Sequence, residues 1–243
     1  MKKYLKQIKN YFTNKQTVKS ENLIEMKVKN VKFPIYLRKE TSDIPTYSQI
    51  FVENEYKLKN KTAPKIIVDG GANIGLFAVL MKNLYPTVKI ICVEPDKENF
   101  QMLKKNLEFY DDVYFENCGI WNKDTKLKVY DKYQMGKWAM VVEEDLQNGD
   151  IVAISMNTLM QKYNLSHIDF LKLDVETSEK QIFANNYENW LPKIKTIIIE
   201  IHDWMEEGCS KPFFEAINKT FQNYKYYTNG ENTVIENHSS DEW

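Results

Sequence analysis

The sequence predicts an α/β fold with a mostly parallel central sheet. Short apolar runs rich in β-branched residues, at 65–69, 88–94, 168–175 and 194–202, read as strands buried on both faces. Segments of helical periodicity alternate with them, which makes parallel strands with right-handed crossovers the economical topology. A glycine turn, Gly70-Gly71-Ala72-Asn73-Ile74-Gly75, joins the first of these strands directly to a helix. The chain has 243 residues and is 43% hydrophobic and 28% charged, which suits one packed domain of this class.

The elements follow in order. Apolar residues at 4, 5, 8, 11 and 12 have helical spacing, and six lysines fall in the first twenty residues with no acid before Glu21. Two roles suit such a segment: an apolar stripe packed on its own domain, or a basic helix touching an anionic membrane surface. A pattern of only three turns favours the first. One or two short strands are expected over 24–38 and a helix over 44–58. Residues 1–60 therefore read as an N-terminal helix and strand extension, and 61–243 as the main domain. There the pattern predicts a helix over 76–84 ending before Pro86, a helix over 97–110 capped by Asp96, and a third strand from Val113. Residues 125–157 alternate instead, with Asn148-Gly149-Asp150 as a turn signal, and predict an inserted β-hairpin. Helices are expected over 157–163, 177–190 and 211–222, and a closing strand pair over 223–237.

Composition excludes several functions. With 33 basic and 34 acidic residues there is no global field to hold nucleic acid. Three cysteines (Cys92, Cys118, Cys209) lack metal-ligand spacing and are odd in number, which disfavours both a zinc module and a disulfide scaffold. A reducing cytoplasm is the expected compartment, with residues 1–20 the candidate contact with the inner membrane face. No run of 18 apolar residues is present to span a bilayer.

The glycine turn lets the backbone approach a ligand at the carboxyl edge of the sheet. A dinucleotide would prefer G-x-G-x-x-G, but Ala72 replaces its middle glycine. Asp69, just before the glycines, would repel a pyrophosphate and suits an ammonium or sulfonium group. It favours S-adenosyl-L-methionine as cofactor. Glu94, closing the second strand 25 residues later, fits a ribose of either ligand. Hydride transfer with a nicotinamide cofactor therefore stays open as an alternative.

Further segments share a pattern: Asn117-Cys118-Gly119-Ile120, the run Phe170-Leu171-Lys172-Leu173-Asp174-Val175-Glu176 with Glu179, Ile199-Glu200-Ile201-His202, and upstream Arg38 to Asp43 with Tyr47-Ser48-Gln49-Ile50-Phe51 and Glu55-Tyr56. Together with 68–75 and Glu94-Pro95 they resemble the FkbM-type methyltransferases, a branch of the class I S-adenosylmethionine-dependent enzymes. The resemblance implies a Rossmann-like fold, with a central seven-stranded sheet and helices on both faces. It also implies O-methylation of a sugar hydroxyl on a glycan, glycolipid or small glycosylated product. Asp69, Gly70, Gly71, Asn73, Gly75 and Glu94 would hold the cofactor. Asn117 and Cys118 would border its adenine, and the 38–56 stretch would fold over it through Asp43 and Tyr56. Where the family usually has Glu-Gly-Ala-Glu this chain has Glu176-Thr177-Ser178-Glu179, which puts that acceptor contact in question. Ser178 and Gln181 offer a capping box there instead. A glycan-binding module without catalysis is the reading that this departure favours.

Methyl transfer needs in-line alignment and removal of one proton. Asp174 and Glu176 are two apart, as are Glu200 and His202, so each pair would share one face of its strand. His202 is the expected base, oriented by Glu200 or Asp174. A divalent cation held by Asp174, Glu200 and His202 is the alternative, although metal-free catalysis is preferred with only three ligands visible. Residues 131–146, with Tyr133, Met135, Gly136 and Trp138, are the expected acceptor wall.

Overall fold

The computed structural model describes residues 22–58, 62–130 and 141–239. The expected helix at 1–12, most of the proposed acceptor wall and the expected membrane contact lie outside them. Strands β1 (Leu23–Met26) and β2 (Ile35–Arg38) form an antiparallel pair. Helix α1 (Asp43–Tyr47) runs into a wider turn at Ser48–Val52. The helix expected over 44–58 ends there, because Asn54 takes a left-handed φ of 59°.

The alternating run then builds a seven-stranded sheet. It comprises β3 (Ile66–Gly70), β4 (Lys89–Val93), β5 (Val113–Glu116), β10 (Ile168–Leu173), β11 (Ile194–Glu200), β12 (Tyr224–Asn229) and β13 (Asn232–Asn237). Its order is β12-β13-β11-β10-β3-β4-β5. β11, β10, β3, β4 and β5 are mutually parallel, and β13 is antiparallel to both neighbours. The chain leaves β3 outward to β5 and re-enters on the other side of β3 at β10. That reversal opens a crevice beyond the carboxyl ends of β3, β4 and β10.

Period-2 alternation assigns side chains to two cores. Ile67, Ile90 and Phe170 face helices α2 (Leu76–Leu84) and α3 (Lys97–Leu107), together with Met26, Ile35, Leu37 and Tyr56 of the upstream segment. Val68, Ile91 and Leu171 face α4 (Met156–Lys162), α5 (Glu179–Ile182) and α6 (Ser210–Thr220). Asp96 starts α3 as expected, its Oδ1 accepting from Asn99 N at 2.8 Å.

The inserted hairpin is larger than its sequence suggested. β7 (Thr125–Tyr130) and β8 (Val141–Glu144) pair antiparallel, but β9 (Ile151–Ser155) joins β7, and β6 (Gly119–Trp121) adds parallel to β9. The result is a second, four-stranded sheet around Trp121, Leu127 and Ala153. Two further expectations are corrected. The helix expected over 177–190 is a single turn, α5, since Asn186 turns left-handed at φ 63° and Pro192 follows. Ile182, Phe183, Tyr187 and Trp190 are buried nonetheless, and their apolar spacing is what imitated a helix. Nor does Ser178 form a capping box, for its side chain makes no cap hydrogen bond. Among the described residues no helix is long and apolar enough to cross a membrane.

Candidate active site

A cavity of about 690 Å³ opens at the carboxyl ends of β3, β4 and β10. Gly71 and Asn73 of the glycine turn form one wall, and Glu94, Asp96 and Asn99 at the start of α3 another. Cys118, Leu127, Val129 and Val142 bring in the small sheet, and Asp174, Glu176 and Ser178 close the far end.

The turn is held close to its neighbours. Gly71 N and Ala72 N both donate to Val93 O at 3.0 Å. Gly71 has φ +71°, and a Cβ there would lie 1.8 Å from Asp174 O. Only glycine suits that backbone.

Glu94 is buried, and each of its carboxylate oxygens takes one backbone donor: Oε2 from Asn73 N at 2.7 Å and Oε1 from Asp96 N at 2.9 Å. Burial pushes its carboxyl up to about 7 against these two hydrogen bonds. Lone pairs remain for two ribose hydroxyls. Asn73 Oδ1, also at the cavity, is buried without a hydrogen-bond partner. A ligand that brings hydroxyl donors, as a ribose does, fits this set of acceptors.

The other expected cofactor residues stand behind the wall. Gly70 ends β3, and Gly75, at φ +84°, precedes α2. Asn117 Nδ2 braces the backbone by donating to Glu94 O at 2.9 Å and Pro95 O at 3.1 Å. Asp43 is fully buried and engages Arg38, whose Nε and Nη2 donate to it at 3.0 and 2.8 Å; Nη2 also reaches Asn99 Oδ1 at 2.6 Å. The upstream segment thus meets the cavity rim through this arginine clamp. Tyr56 is buried against the Phe77 ring, 4.9 Å between centroids. Asp69, expected beside the donor's cation, lies wholly inside, with Oδ1 3.4 Å from Lys172 Nζ.

The four polar groups singled out in the sequence do converge, though not as strand partners. β10 ends at Leu173, and Glu176 and Thr177 take left-handed φ of 42° and 73°. Asp174 and Glu176 therefore leave the strand on a sharp turn instead of sharing its face. Thr177 occupies the position where the resemblance led us to expect glycine, and it adopts a glycine-like backbone at a steric cost for a β-branched residue. His202 lies just past β11 and is 3% exposed. Its Nδ1–H donates to Glu179 Oε1 at 2.7 Å, and its Nε2 sits 3.5 Å from Glu200 Oε1 and 3.8 Å from Asp174 Oδ1. Its orienting partner is thus Glu179, in place of the expected Glu200 or Asp174. Burial alone would lower the basicity of His202, but the hydrogen bond to Glu179 and the charges of Glu179, Asp174 and Glu200 raise it. Burial and Asp174 raise Glu200.

Sequence reasoning gave no role to Lys172, Glu179, Asn99 or Trp204. A lysine inside a strand buried on both faces was an available signal for the first. The others depend on contacts between residues distant along the chain.

This sheet order, with a glycine turn after the central strand and a carboxylate closing the next, defines the class I methyltransferase architecture. A model of the methyltransferase FkbM domain matches residues 69–227, and the chain belongs to that family of methyltransferases. It is 25% identical over 205 residues to "Methyltransferase sdnD" of Sordaria araneosa, covering 70% of this chain and 78% of that one. It is 26% identical over 180 residues to "Methyltransferase 1" of Beauveria bassiana (strain ARSEF 2860), covering 65% and 72%. The fold is similar to the crystal structure of methyltransferase FkbM from Methylobacillus flagellatus KT, with a TM-score of 0.52 and 15% identity; the match covers 74% of this chain and 45% of that chain.

Proposed function

We propose that this methyltransferase uses S-adenosyl-L-methionine to methylate a hydroxyl of a saccharide or glycolipid. The carrying observation is one continuous cavity that begins at Glu94 and Asn73 and ends at Asp174, with His202 directly behind. When bound, S-adenosyl-L-methionine supplies a methyl group on a cationic sulfur. Glu94 would accept both ribose hydroxyls, the Gly71 turn would admit the donor's backbone-like tail, and Cys118 would flank the base. At the far end Asp174 would receive the acceptor hydroxyl. Its proton would pass to the group formed by Asp174, Glu200 and His202; the imidazole, raised to about 9 by its carboxylate neighbours, accepts it at Nε2 only after losing its own proton, so transfer should climb as pH approaches 9. Trp204, 71% exposed and 6.1 Å ring to ring from His202, offers a flat apolar face beside that histidine, on which a sugar would stack.

Isothermal titration with S-adenosylhomocysteine tests the cofactor, and no heat at millimolar ligand would sink it. Incubation with methyl-labelled cofactor and a lysate fractionated into lipids, glycans and small molecules tests the acceptor. Label confined to the small non-sugar fraction would overturn the saccharide reading. With the acceptor in hand, Trp204→Ala is expected to raise its KM about tenfold, the worth of a stacking contact. Affinity for S-adenosylhomocysteine should not change.

The pH dependence of cofactor binding follows from Glu94. Its carboxyl sits at about 7 against an ordinary 4.5, and ribose hydroxyls donate to the ionised form. Affinity for S-adenosylhomocysteine should therefore rise as pH climbs through 7, flatten above, and fall toward tenfold per unit below. Fold stability slopes the other way: the raised carboxyl contributes fully below 4.5 and loses that contribution as pH passes 7. Glu94→Gln should remove both slopes, which titration calorimetry and urea melts across pH would read.

A second reading is favoured by one observation. Ligand atoms of Asp174, Glu200 and His202 all lie within 4.8 Å of one another, a group able to hold a divalent cation that would acidify the hydroxyl. Treatment with a chelator decides: unchanged turnover is expected if the imidazole takes the proton, and loss restored by Mg²⁺ or Mn²⁺ if a cation does the work.

A further inference from the structure

β10 contains two buried charges, Asp169 near its start and Lys172 between the apolar Leu171 and Leu173 near its carboxyl end. Ile168, Phe170, Leu171 and Leu173 are all buried, and so is Lys172, at 4% exposure. Removing an ammonium from water costs several kcal/mol unless the surroundings replace its hydration. Three groups do so here. Lys172 Nζ donates to Gly71 O at 2.7 Å and stands 3.4 Å from Asp69 Oδ1 and 3.6 Å from Asp174 Oδ2. The sheet register explains the meeting: Lys172 pairs directly opposite Asp69 across the β10–β3 ladder. Their side chains therefore emerge side by side at the carboxyl edge.

We propose that Lys172 is a positioning residue: its buried ammonium clamps the glycine turn after β3 to the Asp174 end of β10, and so fixes the donor half of the cavity against the acceptor half. The proposal rests on the S-adenosylmethionine reading above. The two halves come from strands about a hundred residues apart in sequence, and in-line transfer tolerates little error in their spacing. Gly71 has no Cβ, so no side chain of its own can anchor the turn. Its carbonyl is anchored from below by Lys172, while its nitrogen is held by Val93 O. The close passage of Gly71 against Asp174 O means that any drift of the turn also moves Asp174. A lysine that only filled space would serve as well as a methionine. A lysine that clamps Gly71 would be replaced best by a side chain that still donates a hydrogen bond there.

That contrast is the test. Lys172→Met and Lys172→Gln both remove the charge, but only glutamine keeps a donor for Gly71 O. Titration with S-adenosylhomocysteine should show Met at least about tenfold weaker than wild type and Gln within about threefold. Amide exchange at Gly71, Ala72 and Gly75 should quicken about tenfold in Met and little in Gln. Binding within twofold of wild type for both, or an equal loss in both, overturns the clamp. Should Lys172→Met fail to fold, Asp69→Asn/Lys172→Met takes its place and is compared with Asp69→Asn, with the same tenfold loss expected. Failure of that pair to fold as well leaves the ammonium a purely structural charge and overturns the proposal. If wild type takes up no S-adenosylhomocysteine, the donor reading falls, and amide exchange still decides the clamp.

Discussion

His202→Asn should lower methyl transfer by about 10²- to 10⁴-fold, the usual worth of a positioned base, while S-adenosylhomocysteine affinity stays within about twofold. The asparagine amide falls near the place of Nδ1 and can still donate to Glu179 Oε1, so the variant removes Nε2 with little else. His202→Ala is the informative companion. Glu179 is fully buried, its Oε2 already lacks a partner, and alanine would strip Oε1 of its donor as well. An uncompensated buried carboxylate costs about 3–5 kcal/mol, so Ala should lose stability where Asn does not. Single-turnover transfer of labelled methyl and urea unfolding separate the two effects. Wild-type turnover in His202→Asn would remove the imidazole from the chemistry and leave Asp174 and Glu200 to carry the proton.

The second large effect belongs to Gly71→Ala. Two penalties act together. The left-handed backbone, φ +71°, costs an alanine about 1–2 kcal/mol, and a Cβ 1.8 Å from Asp174 O cannot be relieved by a flexible neighbour because the clash is with backbone. Overpacking adds about 1–3 kcal/mol, so the loss should reach about 2–5 kcal/mol, a large share of a typical domain's stability. Cofactor affinity should fall with it, since the turn must swing away from Asp174. Gly208→Ala provides the control. It has φ +88° but nothing within 4 Å of the added Cβ, so it isolates the backbone term. Gly71→Ala melting no earlier than Gly208→Ala, with unchanged S-adenosylhomocysteine binding, would show that the turn yields freely.

Some of this site was visible in the residues alone. A strand buried on both faces, followed at once by glycines and a helix, marks a ligand turn because only glycine lets backbone approach so closely. Glu94 was legible for a similar reason, as a lone acid closing an apolar strand. The pairing of His202 was not. Its true partner, Glu179, lies 23 residues away on a one-turn helix, whereas Glu200 is two residues off and Asp174 was expected at the end of the neighbouring strand. The type and position of Asp69 say nothing about which way its side chain faces. Sheet register turned it inward, onto Lys172.

Two stretches show where periodicity misleads. Residues 177–190 carry apolar groups at helical spacing, yet two left-handed residues, Thr177 and Asn186, break the segment into turns that bury the same side chains. Residues 125–157 read as an inserted hairpin with a turn at Asn148-Gly149-Asp150, but the strands on either side of that turn, β8 and β9, both pair with β7, and β6 adds beyond β9.

The sequence by itself determined the class of fold, most of the alternation of strands and helices, and the glycine turn that forms one wall of the cavity. Each of these follows from interactions between residues close along the chain: side-chain alternation, backbone freedom at glycine, and capping. Only the tertiary structure decided which carboxylate serves which partner, that a lysine lies beneath the glycine turn, and that a second sheet walls the cavity. Those outcomes depend on register between strands distant in sequence, and register is settled when whole faces are buried together.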